Sequence, residues 1–259
     1  MTSPFYTYAL WHKPDEALVE RYLIVSDNRA SADQLYRGIQ EQMIFLKDSV
    51  DFRNLKRLSP QMWAWGASGG DDLRELIGHI NATDVDYIPE RLRALRGKVF
   101  IKALFAWDTG VTWPIIPPLG LADHINKRTF FIRNKFAPAQ FWAVAGNLIV
   151  VSTEQRSRFR IELAKEAKMQ NGEEPLLVDS DRVRLTLVRP ETFGDSDESR
   201  LYIDSNTGRL TTYRQANAEF DFDAFKGGFA IYSLVDTAGV TSSYPTLQSS
   251  RDGEVWELV

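Results

Sequence analysis

Phe141-Trp-Ala-Val-Ala-Gly-Asn-Leu-Ile-Val-Val-Ser152 is the stretch that decides the fold class. Phe141–Val144 and Leu148–Val151 are β-type runs, and Gly146-Asn147 between them supplies turn chemistry, so the pair reads as a hairpin. Ser152 has Gln155 three residues on, a capping-box spacing. Phe159, Leu163 and Ala167 then share a helical face, which predicts a helix directly behind the hairpin.

Further strands surround this unit. Phe130–Arg133 precedes it, and Arg182–Val188 alternates strictly, with Val183, Leu185 and Leu187 on one side. Leu201–Ile203 and Leu210–Tyr213 flank Ser205-Asn-Thr-Gly208, a second hairpin signal, and Gly228–Val235 and Glu254–Val259 add two more strands. In the first half, Phe5–Trp11 and Arg21–Val25 read as strands. Ser31 and Gln34 form a capping box ahead of Ala32, Leu35, Tyr36, Ile39, Met43 and Leu46 at helical spacing. Asp71-Asp72 opens a helix carrying Leu73, Leu76, Ile77 and Ile80, and Pro89 starts a short one with Leu92 and Leu95 inward. Lys98–Trp107 reads as a long strand. Thr112–Lys127 contains Pro114, Pro117, Pro118 and Gly120, which admit neither helix nor central strand. The expected class is α+β. Helices and strands intersperse in a first half over 1–120, a mostly antiparallel hairpin-connected sheet fills a second half over 126–259, and a single globular unit could hold both.

Composition narrows the functions. The 259 residues carry 31 basic and 35 acidic side chains, a net charge of −4, with 44% hydrophobic and 25% charged residues and no cysteine. The balance is that of an ordinary globular protein and argues against a general nucleic-acid binder. The lack of cysteine removes disulfides, thiol nucleophiles and cysteine-ligated zinc. No basic-then-apolar leader and no apolar run of about 18 residues is visible, so the chain reads as soluble and cytoplasmic.

Gly66-Ala-Ser68-Gly-Gly70 is a literal G-x-S-x-G before a helix, the turn that exposes a hydrolase serine. Its base would be His124, in the proline-rich segment. The short strand before it, the 56-residue separation of Ser68 and His124, and Asp71 and Asp72 beside the oxyanion position all count against that chemistry. The loop also lacks the Lys-Ser/Thr of a phosphate cradle. His12, His79 and His124 are too scattered for a zincin pair. Asp204-Ser-Asn-Thr-Gly208 begins like a calcium loop but has Gly at position five, Arg209 at six and Gln215 at twelve, so the hairpin is preferred. Asp221-Phe-Asp223 matches a D-x-D by only three residues. These patterns point to no metal and no cofactor.

Two acidic clusters remain, Glu191, Asp195, Asp197 and Glu198, then Glu219, Asp221 and Asp223. A solvated loop explains them, and so does an acidic face that attracts a basic protein partner. Trp63, Trp65, Trp107, Trp113, Trp142 and Trp256 could anchor such a contact, although most tryptophans belong in a core. The segment Phe141–Ser152, running on from Phe130, resembles a recurrent strand–turn–strand–helix unit of bacterial immunity proteins encoded beside polymorphic toxins. The resemblance extends over 130–259 at most. It implies a factor that binds and blocks a toxin, such as a basic toxin domain, without catalytic residues. A non-catalytic, immunity- or antitoxin-like protein-binding factor is therefore the leading expectation. The alternatives are a serine hydrolase using Ser68 and a structural or assembly protein.

Overall fold

The computed structural model describes residues 3–12, 19–41, 52, 55–66, 72–82, 88–104, 121–167, 169, 173–188, 199–216, 218–233 and 245–259. The chain forms two compact units. The first is Met1–Asp123 with Lys168–Leu176, and the second is His124–Ala167 with Leu177–Val259. Strand outweighs helix, and the class is mixed α and β. No helix among the described residues is long and apolar enough to cross a membrane.

In the first unit, strands and helices follow as β1 (Phe5–His12), β2 (Val19–Ser26), α1 (Arg29–Glu41), β3 (Lys56–Ser59), β4 (Met62–Trp65), α2 (Asp72–Asn81), α3 (Glu90–Arg93) and β5 (Val99–Ala103). The sheet order is β3-β4-β1-β2-β5, with β1 and β4 parallel and the other pairs antiparallel. Successive side chains of a strand point to opposite faces. Phe5, Thr7, Ala9 and Trp11 of β1 are buried, as are Tyr22 and Ile24 of β2, Trp63 and Trp65 of β4 and Val99 of β5. Against that face lie the apolar stripes of the helices: Leu35, Tyr36 and Ile39 of α1, and Leu73, Leu76, Ile77 and Ile80 of α2.

Two local details differ from the sequence expectation. The cap of α1 is Asn28, whose Oδ1 accepts the Ser31 N–H at 3.0 Å, so Ser31 lies inside the helix and is buried. Gln34 does not reach back to the helix start either; its Nε2 donates to the Arg91 carbonyl at 2.9 Å. Both Asn28 and Ser31 offer a side-chain acceptor, and the earlier one is used. Pro89 occupies the cap position of α3, one residue before its first turn, with its carbonyl accepting from Leu92 and Arg93. The expected continuation of α1 through Met43 and Leu46, and of β5 beyond Leu104, lies outside the described residues.

The second unit contains β6 (Thr129–Asn134), β7 (Phe141–Ala145), β8 (Leu148–Ser152), β9 (Arg158–Leu163), β10 (Arg182–Val188), β11 (Ser199–Arg200), β12 (Tyr202–Ile203), β13 (Leu210–Thr211), β14 (Phe220–Asp221), β15 (Lys226–Tyr232), β16 (Thr246–Ser249) and β17 (Glu254–Leu258). The β7–β8 hairpin forms with Ala145 opposite Leu148 and Gly146 at φ +60°, which suits Gly at the first position of a two-residue turn. The second hairpin also forms. Asp204 Oδ1 accepts from the Asn206 and Thr207 N–H groups, which holds its pKa below the usual carboxylate value.

One expectation for this half is overturned. No helix runs through the described residues from Ser152 to Ala167. The Ser152 Oγ does accept from Glu154 and Gln155 N–H, both at 3.1 Å, but the chain then bends into β9. Arg158-Phe-Arg-Ile-Glu-Leu163 buries Phe159 and Ile161 in alternation, and that period of two outweighs a weaker match at Phe159, Leu163 and Ala167. The resemblance to immunity proteins then rests on the hairpin alone. The strand pairs of this unit are antiparallel, as expected, and they go further than a set of hairpins. β6 pairs with β17, β17 with β15, β15 with β16, β16 with β8, β8 with β7, and β7 again with β6, so the strands close into a barrel. β9, β10, β11 and β14 extend from β6, and β13 and β12 from β8.

Trp142 holds the barrel's centre, with ring centroids of Phe159, Phe225, Phe229 and Trp256 at 5.2–5.9 Å. Edge-on and tilted ring pairs of this kind add to the burial itself. The Trp142 indole N–H is buried and makes no hydrogen bond, so the ring acts through packing. At the β15 bulge between Lys226 and Phe229, Gly227 adopts φ +129° and Gly253 passes so close to the Phe229 backbone that a Cβ would collide with it. Trp142→Ala should lower unfolding stability by about 3–5 kcal/mol, and Trp142→Phe by clearly less, in denaturant titrations followed by near-UV circular dichroism.

Candidate functional site

The described acidic residues of the second cluster come together on the second unit. Glu219 precedes β14, Asp221 ends it, and Asp223 lies in the 3-10 turn Phe222–Phe225. They line an open cleft of about 470 Å³ that also includes Arg182, Lys226 and Arg251. Strand pairing of β10 with β14 brings arginines to them: Arg182 Nη1 lies 3.0 Å from Asp221 Oδ1, and Arg184 Nη2 lies 2.7 Å from Glu219 Oε1. Lys226 Nζ meets Asp179 at 2.5 and 2.7 Å. Exposed pairs of this kind contribute little stability, but they balance the local charge. Burial, with Asp221 and Asp179 nearby, raises the Asp223 pKa, and Lys226 opposes the rise. The cleft is mixed in sign rather than an acidic face.

Glu191, Asp195, Asp197, Glu198 and Ser68 lie outside the described residues. His124 packs edge-on to the Phe130 and Phe222 rings at 6.1 and 5.6 Å, and its carbonyl accepts the Leu177 N–H at 2.7 Å. These contacts give it a packing role within the second unit. No group of three or more His, Asp or Glu among the described residues could hold a metal ion.

A different feature stands out on the first unit. The face of its sheet turned away from the helices is also apolar. Phe100 is 56% exposed, Leu58 58%, Tyr6 39% and Met62 37%, with Tyr8, Leu10, Leu23, Val25 and Ala64 half-buried beside them. Strand register sets these side chains in rows. Phe100, Val25 and Tyr6 form one row across β5, β2 and β1, and Lys102, Leu23, Tyr8 and Met62 form the next. Arg21, Leu10, Ala64 and Lys56 form the third. The signal was present in the sequence, because Tyr6, Tyr8 and Leu10 alternate with Phe5, Thr7, Ala9 and Trp11, so that β1 is apolar on both faces. A strand with one solvated face normally alternates with polar residues.

Beneath this face, polar groups fix α1 to β3. The Arg57 side chain, 3% exposed, donates to Asp33 Oδ1 and Asp123 Oδ1, both at 2.7 Å, and lies over the Tyr36 ring at 5.6 Å. Burial disfavours the Arg57 charge, but the two carboxylates more than offset this and raise its pKa. Arg37 donates to Glu41 at 2.9 Å, and Arg91 of α3 to the same carboxylate at 2.7 Å. Removing one partner from such a buried set leaves a charge uncompensated, which is strongly destabilising. The cluster holds the covered side of the sheet in one arrangement and thereby fixes the rows on the open side.

No protein-family model, curated protein or solved structure matches the chain.

Burial, with Glu173 and Asp123 adding to it, pushes the Tyr36 hydroxyl from its ordinary 10.0 up to about 12, and Arg57 opposes the rise. Above pH 10 the unfolded chain loses a proton that folded Tyr36 keeps, so stability falls as pH rises towards 12. Relative to Tyr36→Phe, the wild-type chain should lose up to about 1.4 kcal/mol per pH unit in that window, measured by denaturant unfolding of both proteins. Ordinary tyrosines titrate alike in both proteins and cancel.

Proposed function

We propose that this chain is a non-catalytic protein-binding factor and that the open face of the first unit's sheet is the docking surface. The observation that carries the proposal is the apolar row Phe100–Val25–Tyr6, which strand register holds in place beside Leu23, Tyr8 and Met62. Apolar surface in water gains about 25 cal/mol per Å² on being covered. A contiguous patch of this kind marks an interaction site, whereas scattered apolar residues do not. The aromatic side chains offer large, rigid contact area, the kind that dominates binding energy.

The resemblance of Phe141–Ser152 to immunity proteins of polymorphic toxin systems gives the binding a setting. The partner is then a toxin encoded beside this chain, bound and blocked rather than chemically altered. The contacts of His124 give no support to a hydrolase.

Co-expression with the product of the adjacent gene should yield a stoichiometric complex that survives gel filtration and protects the host from that product. The variant Tyr6→Ser/Phe100→Ser should keep the wild-type melting curve and lose both the complex and the protection. A complex and protection unchanged by this variant would remove the sheet face from the account.

A further inference from the structure

Resting on the reading that the open sheet face binds a protein, we infer that its occupant is a different protein that brings carboxylates to the edge of an apolar contact, not a second copy of this chain. The outward positions of the five strands hold three cations, Arg21, Lys56 and Lys102, all exposed. None of these positions among the described residues is Asp or Glu. Register places the cations around the apolar rows. Lys102 lies beside Leu23 at the β5 end, and Arg21 and Lys56 lie on either side of Leu10 and Ala64.

The charge pattern selects the occupant. A two-fold copy stacked on this face would cover Lys56 and Lys102 of both copies with no carboxylate at the described outward positions of either sheet to meet them, and like charges across an interface oppose association. The chain as a whole carries a net charge of −4, so this cationic face is a local departure from its overall charge. The described acids Glu219 and Asp221 are each tied to an arginine. Complementarity therefore runs from these cations towards acidic groups on the partner.

Size points the same way. Five strands at about 4.8 Å spacing and three rows of side chains cover on the order of 400 Å². A standard interface buries about 800 Å² on each side, so an occupant must extend past the apolar rows onto their cationic border. A single-stranded nucleic acid would also be attracted to cations and aromatic rings. Leu10, Leu23, Val25 and Met62, however, place aliphatic groups where bases would need flat surfaces to stack on.

The test uses the full chain as bait in lysate of its native host, beside two variants, Tyr6→Ser/Phe100→Ser and Lys56→Glu/Lys102→Glu. A water-soluble carbodiimide, which joins an amine to a carboxylate with no spacer, is applied to the captured complex, and the linked peptides are sequenced. The expected result is one protein partner joined through Lys56 or Lys102 to its Asp or Glu residues. Binding should weaken about tenfold or more in Lys56→Glu/Lys102→Glu, and also when salt rises from about 0.05 to about 0.5 M. Melting curves should stay unchanged for both variants. A partner lost with Tyr6→Ser/Phe100→Ser but indifferent to salt and to the charge reversal would overturn the inference and leave the docking reading standing. Capture that survives Tyr6→Ser/Phe100→Ser would instead defeat the docking reading itself. A wild-type dimer by light scattering that dissociates in Tyr6→Ser/Phe100→Ser, or capture abolished by nuclease, would also overturn the inference.

Discussion

A β-sheet has two faces, and among the described residues helices α1 and α2 cover one face of the sheet in the first unit. Everything proposed for this chain follows from that constraint. On the covered side, Trp63, Trp65, Tyr22 and Ile24 meet the apolar stripes of α1 and α2 and are removed from water. On the other side the same alternation of strand side chains leaves Tyr6, Phe100 and Met62 exposed. The contacts of Arg57 with Asp33, Asp123 and Tyr36 make the covered side specific, because a buried cation tolerates few alternative arrangements. The open side inherits that order through the strand register.

The second unit solves the same problem by closure. β6 and β8 each change neighbours along their length, and the ring of strands from β6 through β17, β15, β16, β8 and β7 wraps its inward side chains around Trp142. A closed barrel buries one face without needing a helix. Its acidic residues near β14 meet arginines of β10, so its cleft carries both signs of charge.

Much of the local structure was legible in the chain. The Gly146-Asn147 turn, the alternation of Arg182–Val188 and the helix of Leu73–Ile80 are each specified within a few residues, and all three form. What the sequence hid depends on distant partners. Ser152 makes the expected capping contacts, yet β9 follows because Phe159 and Ile161 are taken up by pairing with β10 and β6. The cap of α1 moved to Asn28, and strands β3 and β16 went unread because four-residue strands carry little periodicity of their own. The acids at 219 and 221 looked like a negative face because their arginines lie 35 and 39 residues away in sequence. The open apolar face was visible as strands apolar on both sides, but alternation alone does not say which side a helix will cover.

The proposed docking surface is the open sheet face of the first unit. Hydroxyl-radical footprinting of the complex against the free chain measures this directly, since Tyr6, Met62 and Phe100 are reactive side chains whose oxidation follows their exposure. Strong protection of these three residues in the complex, with Tyr213 and Tyr232 of the second unit still oxidised, is the predicted result. Unchanged oxidation of Tyr6, Met62 and Phe100 in a fully formed complex would contradict it.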